Sequence, residues 1–261
     1  MKKLVLALTA FAAFTGSASA ADLAARPYTK APPVAAPVAS WTGCYIAGGG
    51  GGAYTKNDHN DFLTAPPNTP FSPNLSTGAD GWFGTVQVGC DYQFNNFVVG
   101  LFGDYDFMSV TGDVSTGGFF APALTGSQKQ DSQWAVGGRA GYLVFPSLLT
   151  YVSGGYTQAH WKDTTLSSFF APGVAAATLP GSTKGGWFIG AGDEYALSFL
   201  PGLFWKTEYR YSEFDQANVG LADFATGRAL GGFATEKVRE HSVRSELVYR
   251  FNWAGPVVAK Y

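Results

Sequence analysis

The chain has 261 residues, with 17 Lys and Arg against 19 Asp and Glu for a formal net charge of −2, 34 Gly, and 16% aromatic residues. This near-balance, with no basic run, excludes a phosphate-tracking nucleic-acid surface. Charged residues make up 14%, against about 25% in ordinary soluble domains, while mean hydropathy near zero excludes both a disordered chain and a polytopic helical membrane protein.

The N-terminus reads as an export signal. Met1-Lys2-Lys3 is a basic leader, Leu4 to Phe14 is an apolar run too short to span a bilayer, and Ala18-Ser19-Ala20 is an A-x-A cleavage site. A signal peptide over 1–20 is therefore expected, with the mature chain starting at Ala21. No Cys stands at the cleavage point, which argues against a lipoprotein anchor. Residues 21–40 are rich in Ala and Pro, with Pro27, Pro32, Pro33 and Pro37 excluding a helix. They are expected to form an extended periplasmic linker, either a spacer or a contact to peptidoglycan or a partner. Beyond the leader no apolar run reaches the roughly 18 residues of a transmembrane helix.

From Trp41 onward the hydrophobic period is two. Eight strands are predicted, at 41–55, 81–94, 97–110, 132–145, 149–162, 184–197, 203–214 and 238–251. Each is long enough to cross a bilayer at a tilt, which takes about 9–11 residues. Short turns at 95–96, 146–148 and 198–202 alternate with long loops at 56–80, 111–131, 163–183 and 215–237. The expectation for 41–261 is an all-β fold: an eight-stranded antiparallel up-and-down transmembrane β-barrel with four long extracellular loops. An even strand count puts both termini on the short-turn side.

The faces follow from parity. Trp82, Val86, Val88, Cys90, Tyr92 and Phe94 oppose Thr85, Gln87, Gly89, Asp91 and Gln93; Phe97, Val99, Leu101, Tyr105 and Phe107 oppose Asp104 and Asp106. An eight-stranded barrel has an interior just wide enough for side chains. It cannot hold so many large rings, so the aromatic face is assigned to lipid, with Trp and Tyr as interfacial girdles. That leaves Arg139, Glu194, Lys206, Glu208, Arg210, Arg244, Glu246 and Arg250 in the lumen, where mixed signs can neutralise one another. The run Gly48 to Gly52 is read as small inner wall that makes room for bulky partners; no helix follows it, which argues against phosphate binding.

Several positions leave alternatives open. Cys44 and Cys90 share the outward face of adjacent strands, where a cross-strand disulfide and two small apolar residues are both compatible with the pattern. Asp193 is on the outward parity; either it reaches periplasmic water or a β-bulge turns it inward. Phe119 and Phe120 in one loop and Phe169 and Phe170 in the next belong to a repeated Phe-Phe-Ala-Pro, which would pack over the barrel mouth or contact lipopolysaccharide or a host surface. The three histidines, His59, His160 and His241, complete no nucleophile–base arrangement, since Ser242 and Glu240 point to the face opposite His241. No catalytic, metal-ligating or cofactor-binding set is expected.

The stretches WTGCYIAGG (41–49), GGRAGYLV (137–144), LLTYVSGGYT (148–157), GWFIGAGDEYALS (186–198), KTEYRYSEF (206–214) and LVYRFNWAGPVVAKY (247–261) resemble, in order and spacing, the Omp25/Omp31-like porin family of small outer-membrane barrels of Alphaproteobacteria. The plan is also similar to the OmpA transmembrane domain. The resemblance implies an abundant structural protein of the outer membrane of a Gram-negative bacterium, seated among outer-membrane lipid and lipopolysaccharide and sometimes linked to host contact. It also implies a C-terminal aromatic read by the barrel-assembly machinery. The chain departs from the family by running ten residues past Phe251, so Tyr261 competes with Phe251 for that role. The expected function is a non-enzymatic, monomeric contribution to envelope integrity with a plugged lumen. The alternatives are a narrow porin-like diffusion channel and a loop-mediated adhesin.

Overall fold

The computed structural model describes residues 40–63, 70–116, 124–168 and 170–251. The expected signal peptide, the linker through residue 39, Phe119, Phe120, Phe169 and Tyr261 lie outside the described residues.

Among the described residues, eleven antiparallel strands follow one another: β1 (Gly43–Leu63), β2 (Pro70–Phe94), β3 (Phe97–Thr116), β4 (Leu124–Phe145), β5 (Leu148–Trp161), β6 (Thr164–Ser168), β7 (Ala171–Leu179), β8 (Ser182–Ala196), β9 (Leu203–Phe214), β10 (Ala217–Asp223) and β11 (Ala229–Phe251). Eight of them, β1 to β5 with β8, β9 and β11, pair in succession, and β11 closes the ring on β1. Closure leaves no sheet edge for lipid to meet, as an apolar solvent requires.

The pairing register sets the geometry of the ring. Followed from Cys44, opposite residues are Cys90, Leu101, Gly138, Gly154, Ile189, Tyr211 and His241, and the path returns to β1 at Tyr54, ten residues from its start. With about 3.3 Å per residue and 4.8 Å between strands, a stagger of ten over eight strands tilts them by roughly 41° and gives a backbone radius of about 8 Å.

The long loops expected from sequence are mostly sheet. β1 and β2 continue as a hairpin to Leu63 and Pro70, and β3 and β4 to Thr116 and Leu124. The segment between β5 and β8 folds as the β6–β7 hairpin, with β6 pairing the end of β4; β10 joins β7 to the extended β11. Outside the bilayer the outer face has no lipid to match. Ser, Thr, Asn and Asp then occupy both parities and the apolar alternation fades, although the backbone ladder runs on. The predicted strands therefore mark the lipid-bounded part of longer ones.

The two faces differ sharply. Leu101 is 74% exposed and its neighbour Phe102 only 6%. Val86, Val88, Val99, Leu101, Val136, Val152, Ile189, Val243 and Leu247 form an exposed aliphatic belt. It is bordered toward the short turns by Tyr92, Phe97, Tyr142, Tyr195, Trp205 and Tyr249, and toward the hairpins by Tyr54, Trp82, Tyr156, Trp187 and Tyr209. One tight turn takes Asn95 to φ 54°, a conformation that Asn tolerates.

The lumen corrects one expectation. It is not free of large rings: Trp41, Tyr45, Phe83, Phe102, Tyr151, Phe188 and Phe204 are buried in it. Glycines opposite make the room. A Cβ on Gly51 would lie 2.7 Å from Phe83 Cζ, and one on Gly137 2.7 Å from Phe188 Cζ. This corrects the reading of Gly48 to Gly52 as inner wall: Gly48, Gly50 and Gly52 share the outer parity with Ile46 and Tyr54, and of the two on the inner parity it is Gly51 that makes room for a ring, one that arrives from the neighbouring strand.

Candidate functional site

The register arranges the lumen charges before any side chain is considered. Glu246, Lys206 and Glu194 are side by side on β11, β9 and β8, and Arg244 stands beside Glu208. Asp91 and Arg139 flank Gly100 in one row, and without a side chain at Gly100 the two groups can meet across it.

Two layers result. Near the short turns, Arg139 and Arg250 share Asp91 and Glu194 in a four-membered ring of charges. Arg139 Nε donates to Asp91 Oδ1 at 3.0 Å and Nη1 to Glu194 Oε2 at 2.9 Å; Arg250 Nη1 donates to Asp91 Oδ2 and Nη2 to Glu194 Oε1, both at 2.6 Å. Arg250 Nη1 also donates to the Trp41 carbonyl at 3.0 Å, tying the chain entering β1 to the end of β11. In the layer above, Arg210 holds Asp104 with two bonds of 3.1 and 2.9 Å and donates from Nε to Glu208 Oε1 at 2.9 Å. Arg244 donates to Asp106 at 3.0 Å, Lys206 pairs with Glu246 and donates to Gln87, and the Tyr151 hydroxyl donates to Glu208 at 2.9 Å. All of these charged side chains are buried.

The guanidinium planes also cover the inner rings. Arg210 stands 4.3 Å from the Phe188 centroid, Arg139 lies at 4.9 and 5.1 Å from Tyr45 and Tyr151, and Arg250 is 5.0 Å from Phe204 and 5.2 Å from Trp41. A planar, delocalised cation can lie flat on a ring while its edge donates to two carboxylates at once, a geometry the compact Lys ammonium lacks.

All eight lumen residues read from the sequence lie in this cluster. That set holds five cations and three anions, an imbalance that a buried cluster cannot carry without large desolvation penalties. Asp91, Asp104 and Asp106 supply the missing anions. Their signal was present: all three occupy the polar parity of their strands, and the excess of cations called for acids there.

The other positions resolve as follows. Cys44 and Cys90 are directly opposite on the outer face and joined by a disulfide with an S–S distance of 2.06 Å. Asp193 is exposed on the outer face, and β8 pairs on both sides of it without a register shift, so no bulge turns it inward. It stands between Thr150 and Thr207, and the Thr150 hydroxyl donates to it at 2.5 Å. Ser245 continues the row, accepting from Trp205 Nε1 at 2.8 Å. His241 is on the outer face 2.7 Å from the Tyr209 hydroxyl, His160 is 2.7 Å from Asp131, and His59 is buried. Phe170 is exposed at the turn between β6 and β7. Phe251 ends β11 on the outer face, opposite Cys44 and beside Tyr249.

Comparison with known proteins agrees with this architecture. A family model described as an outer membrane protein beta-barrel domain matches residues 6–251. The chain is 36% identical over 259 residues to the 31 kDa outer-membrane immunogenic protein of Brucella melitensis and to that of Brucella suis, covering 96% of this chain and 100% of each relative. In fold it is similar to the outer membrane protein OprG of Pseudomonas aeruginosa, with a TM-score of 0.51, 16% identity, and coverage of 82% of this chain and 99% of that one.

Proposed function

The chain belongs to the outer-membrane β-barrel family, within its Omp25/Omp31 branch, and resides in the outer membrane; on that premise we propose that it is a structural, non-enzymatic barrel that contributes to envelope integrity, its lumen closed by the ion-pair plug. One observation carries this reading. The Arg139–Asp91–Arg250–Glu194 ring spans the bore at one level and Arg210–Asp104–Arg244–Asp106 spans it at the next, with inner rings stacked against the guanidiniums. An ion crossing the bore would have to break these pairs, each held away from water. The belt seats the barrel in lipid, and the extended hairpins stand clear of it on the far side from the short turns.

Single-channel recording of the refolded chain in a planar bilayer tests the proposal. A silent barrel, shown to be folded by its heat-modifiable gel mobility, is the expected result. Steady conductance steps that change when Glu208 or Arg210 is neutralised would replace the plug with a narrow diffusion channel.

A further inference from the structure

The lipid-facing surface carries a feature that the plug does not explain. Between the two girdles, the outward positions of the ring strands are aliphatic, aromatic, Gly, Ala or Cys, apart from Thr150, Asp193, Thr207 and Ser245. These four are consecutive in a single pairing row across β5, β8, β9 and β11. Asp193 is the charged member. It is exposed, it joins no ion pair among the described residues, and Thr150 Oγ1 donates to its Oδ1. Acyl chains offer a carboxylate no counter-charge, and an ionised side chain facing lipid is expensive unless a partner is supplied.

The depth of Asp193 follows from the stagger. At a tilt of roughly 41°, two residues along a strand change height by about 5 Å, and one strand along a row by about 3 Å. Rows climb away from the short turns in the order β1 to β11, since the path from Cys44 returns at Tyr54. Tyr195 is the next outward residue of β8 toward the short turns, and Trp205 stands opposite it on β9. Tyr195 therefore lies about 5 Å and Trp205 about 2 Å closer to the periplasm than Asp193. The girdles also approach each other here. On β9 they are four residues apart, at Trp205 and Tyr209, whereas on β2 they are ten apart, at Tyr92 and Trp82. Trp and Tyr rings settle at headgroup level, and a bilayer thins beside a short apolar stretch. The headgroups of the periplasmic leaflet thus come up to the level of Asp193.

We propose that Asp193 is a binding site for the ammonium headgroup of a zwitterionic phospholipid in the periplasmic leaflet. With Oδ1 held by Thr150, the carboxylate accepts the ammonium and is neutralised at the edge of the apolar layer. Tyr195 and Trp205, 46% and 49% exposed, border the site, and aromatic rings favour a cation beside them. The indole of Trp205 is fixed by its bond to Ser245. An anionic headgroup without an amine would be repelled by the same carboxylate. The site lies outside the bore and does not depend on whether the lumen is closed.

The test uses the full chain refolded into nanodiscs that hold equal amounts of phosphatidylethanolamine and phosphatidylglycerol with identical acyl chains. Native mass spectrometry counts the lipids that stay on the protein when the disc is gently stripped away. Retention of phosphatidylethanolamine over phosphatidylglycerol by about fivefold or more is expected, falling to parity in Asp193→Asn. Asn keeps the shape of the side chain and an acceptor for Thr150, and heat-modifiable gel mobility confirms that the variant is folded. Equal retention of the two lipids by the parent chain, or a preference that survives in folded Asp193→Asn, overturns the proposal.

Discussion

Replacing Arg210 by Met removes the cation at the centre of the upper layer while keeping most of its volume. Three charge-assisted hydrogen bonds disappear, two to Asp104 and one to Glu208, each of a kind that contributes about 1.5–3 kcal/mol. Their sum overstates the loss, because neither carboxylate is left without help. Arg244 Nη1 remains 3.5 Å from Asp104, and the Tyr151 hydroxyl still donates to Glu208. Removing one partner of a buried pair costs about 3–5 kcal/mol, and the residual partners place this variant near the lower end, at about 3 kcal/mol. Urea unfolding of the barrel reconstituted in lipid vesicles, followed by tryptophan fluorescence, measures it. The double variant Arg210→Met/Asp104→Leu removes the orphaned charge with its partner and should recover more than half of the loss. A single variant within about 1 kcal/mol of the parent, or a double variant less stable than the single, would refute the claim that these charges are buried and mutually compensated.

Reduction or Cys44→Ser should destabilise the barrel by at most about 4 kcal/mol, the chain-entropy limit for a link across a separation of 46 residues; unfolding with and without reductant measures this, and no difference would mean that closure of the ring already holds β1 against β2. Gly137→Val puts a Cβ 2.6 Å from the Gly154 carbonyl oxygen and 2.7 Å from the Phe188 ring edge, so a loss of about 1–3 kcal/mol from overpacking is expected, and adding Phe188→Ala should relieve the ring's share of it; without relief, the backbone contact alone requires the glycine. At the outer end of β1, the Ser76 hydroxyl, with Lys56 and Arg239 beside it, holds the Asp58 carboxyl below the usual carboxylate range. A lowered folded-state value stabilises above the unfolded carboxylate pKa of about 4 and is lost as pH falls through the folded one. The protection of amides 55–60, taken relative to the intrinsic exchange rate at each pH, should therefore fall on acidification below about pH 4 while protection in the lipid belt does not, and equal behaviour of the two regions would sink that assignment.

Much of this protein is local enough to be read along the chain. A strand crossing lipid must alternate, and the alternation of Val86, Val88 and Tyr92 with Thr85, Gln87 and Asp91 marks both the strand and its outer face. Short turns such as Asn95-Asn96 then order the strands. The reading stopped at the edge of the bilayer because its signal depends on lipid: beyond Tyr54 or Trp82 the ladder continues with no apolar face to reveal it. It also underfilled the lumen, since a lone Phe102 or Phe188 on the inner parity has no local mark of the glycine that will face it.

What the sequence by itself determined is the closed all-β barrel, its eight crossings, its outer belt and the residues available to its interior, because each follows from a period of two within a single strand. Only the tertiary structure decided which charge meets which: Arg139 with Asp91 across Gly100, Arg250 with Glu194, Arg210 with Asp104. Those pairs join strands far apart in sequence, and the stagger of ten residues around the ring sets the height at which each side chain enters the bore. A shift of two residues in that stagger would keep every face and change every partner.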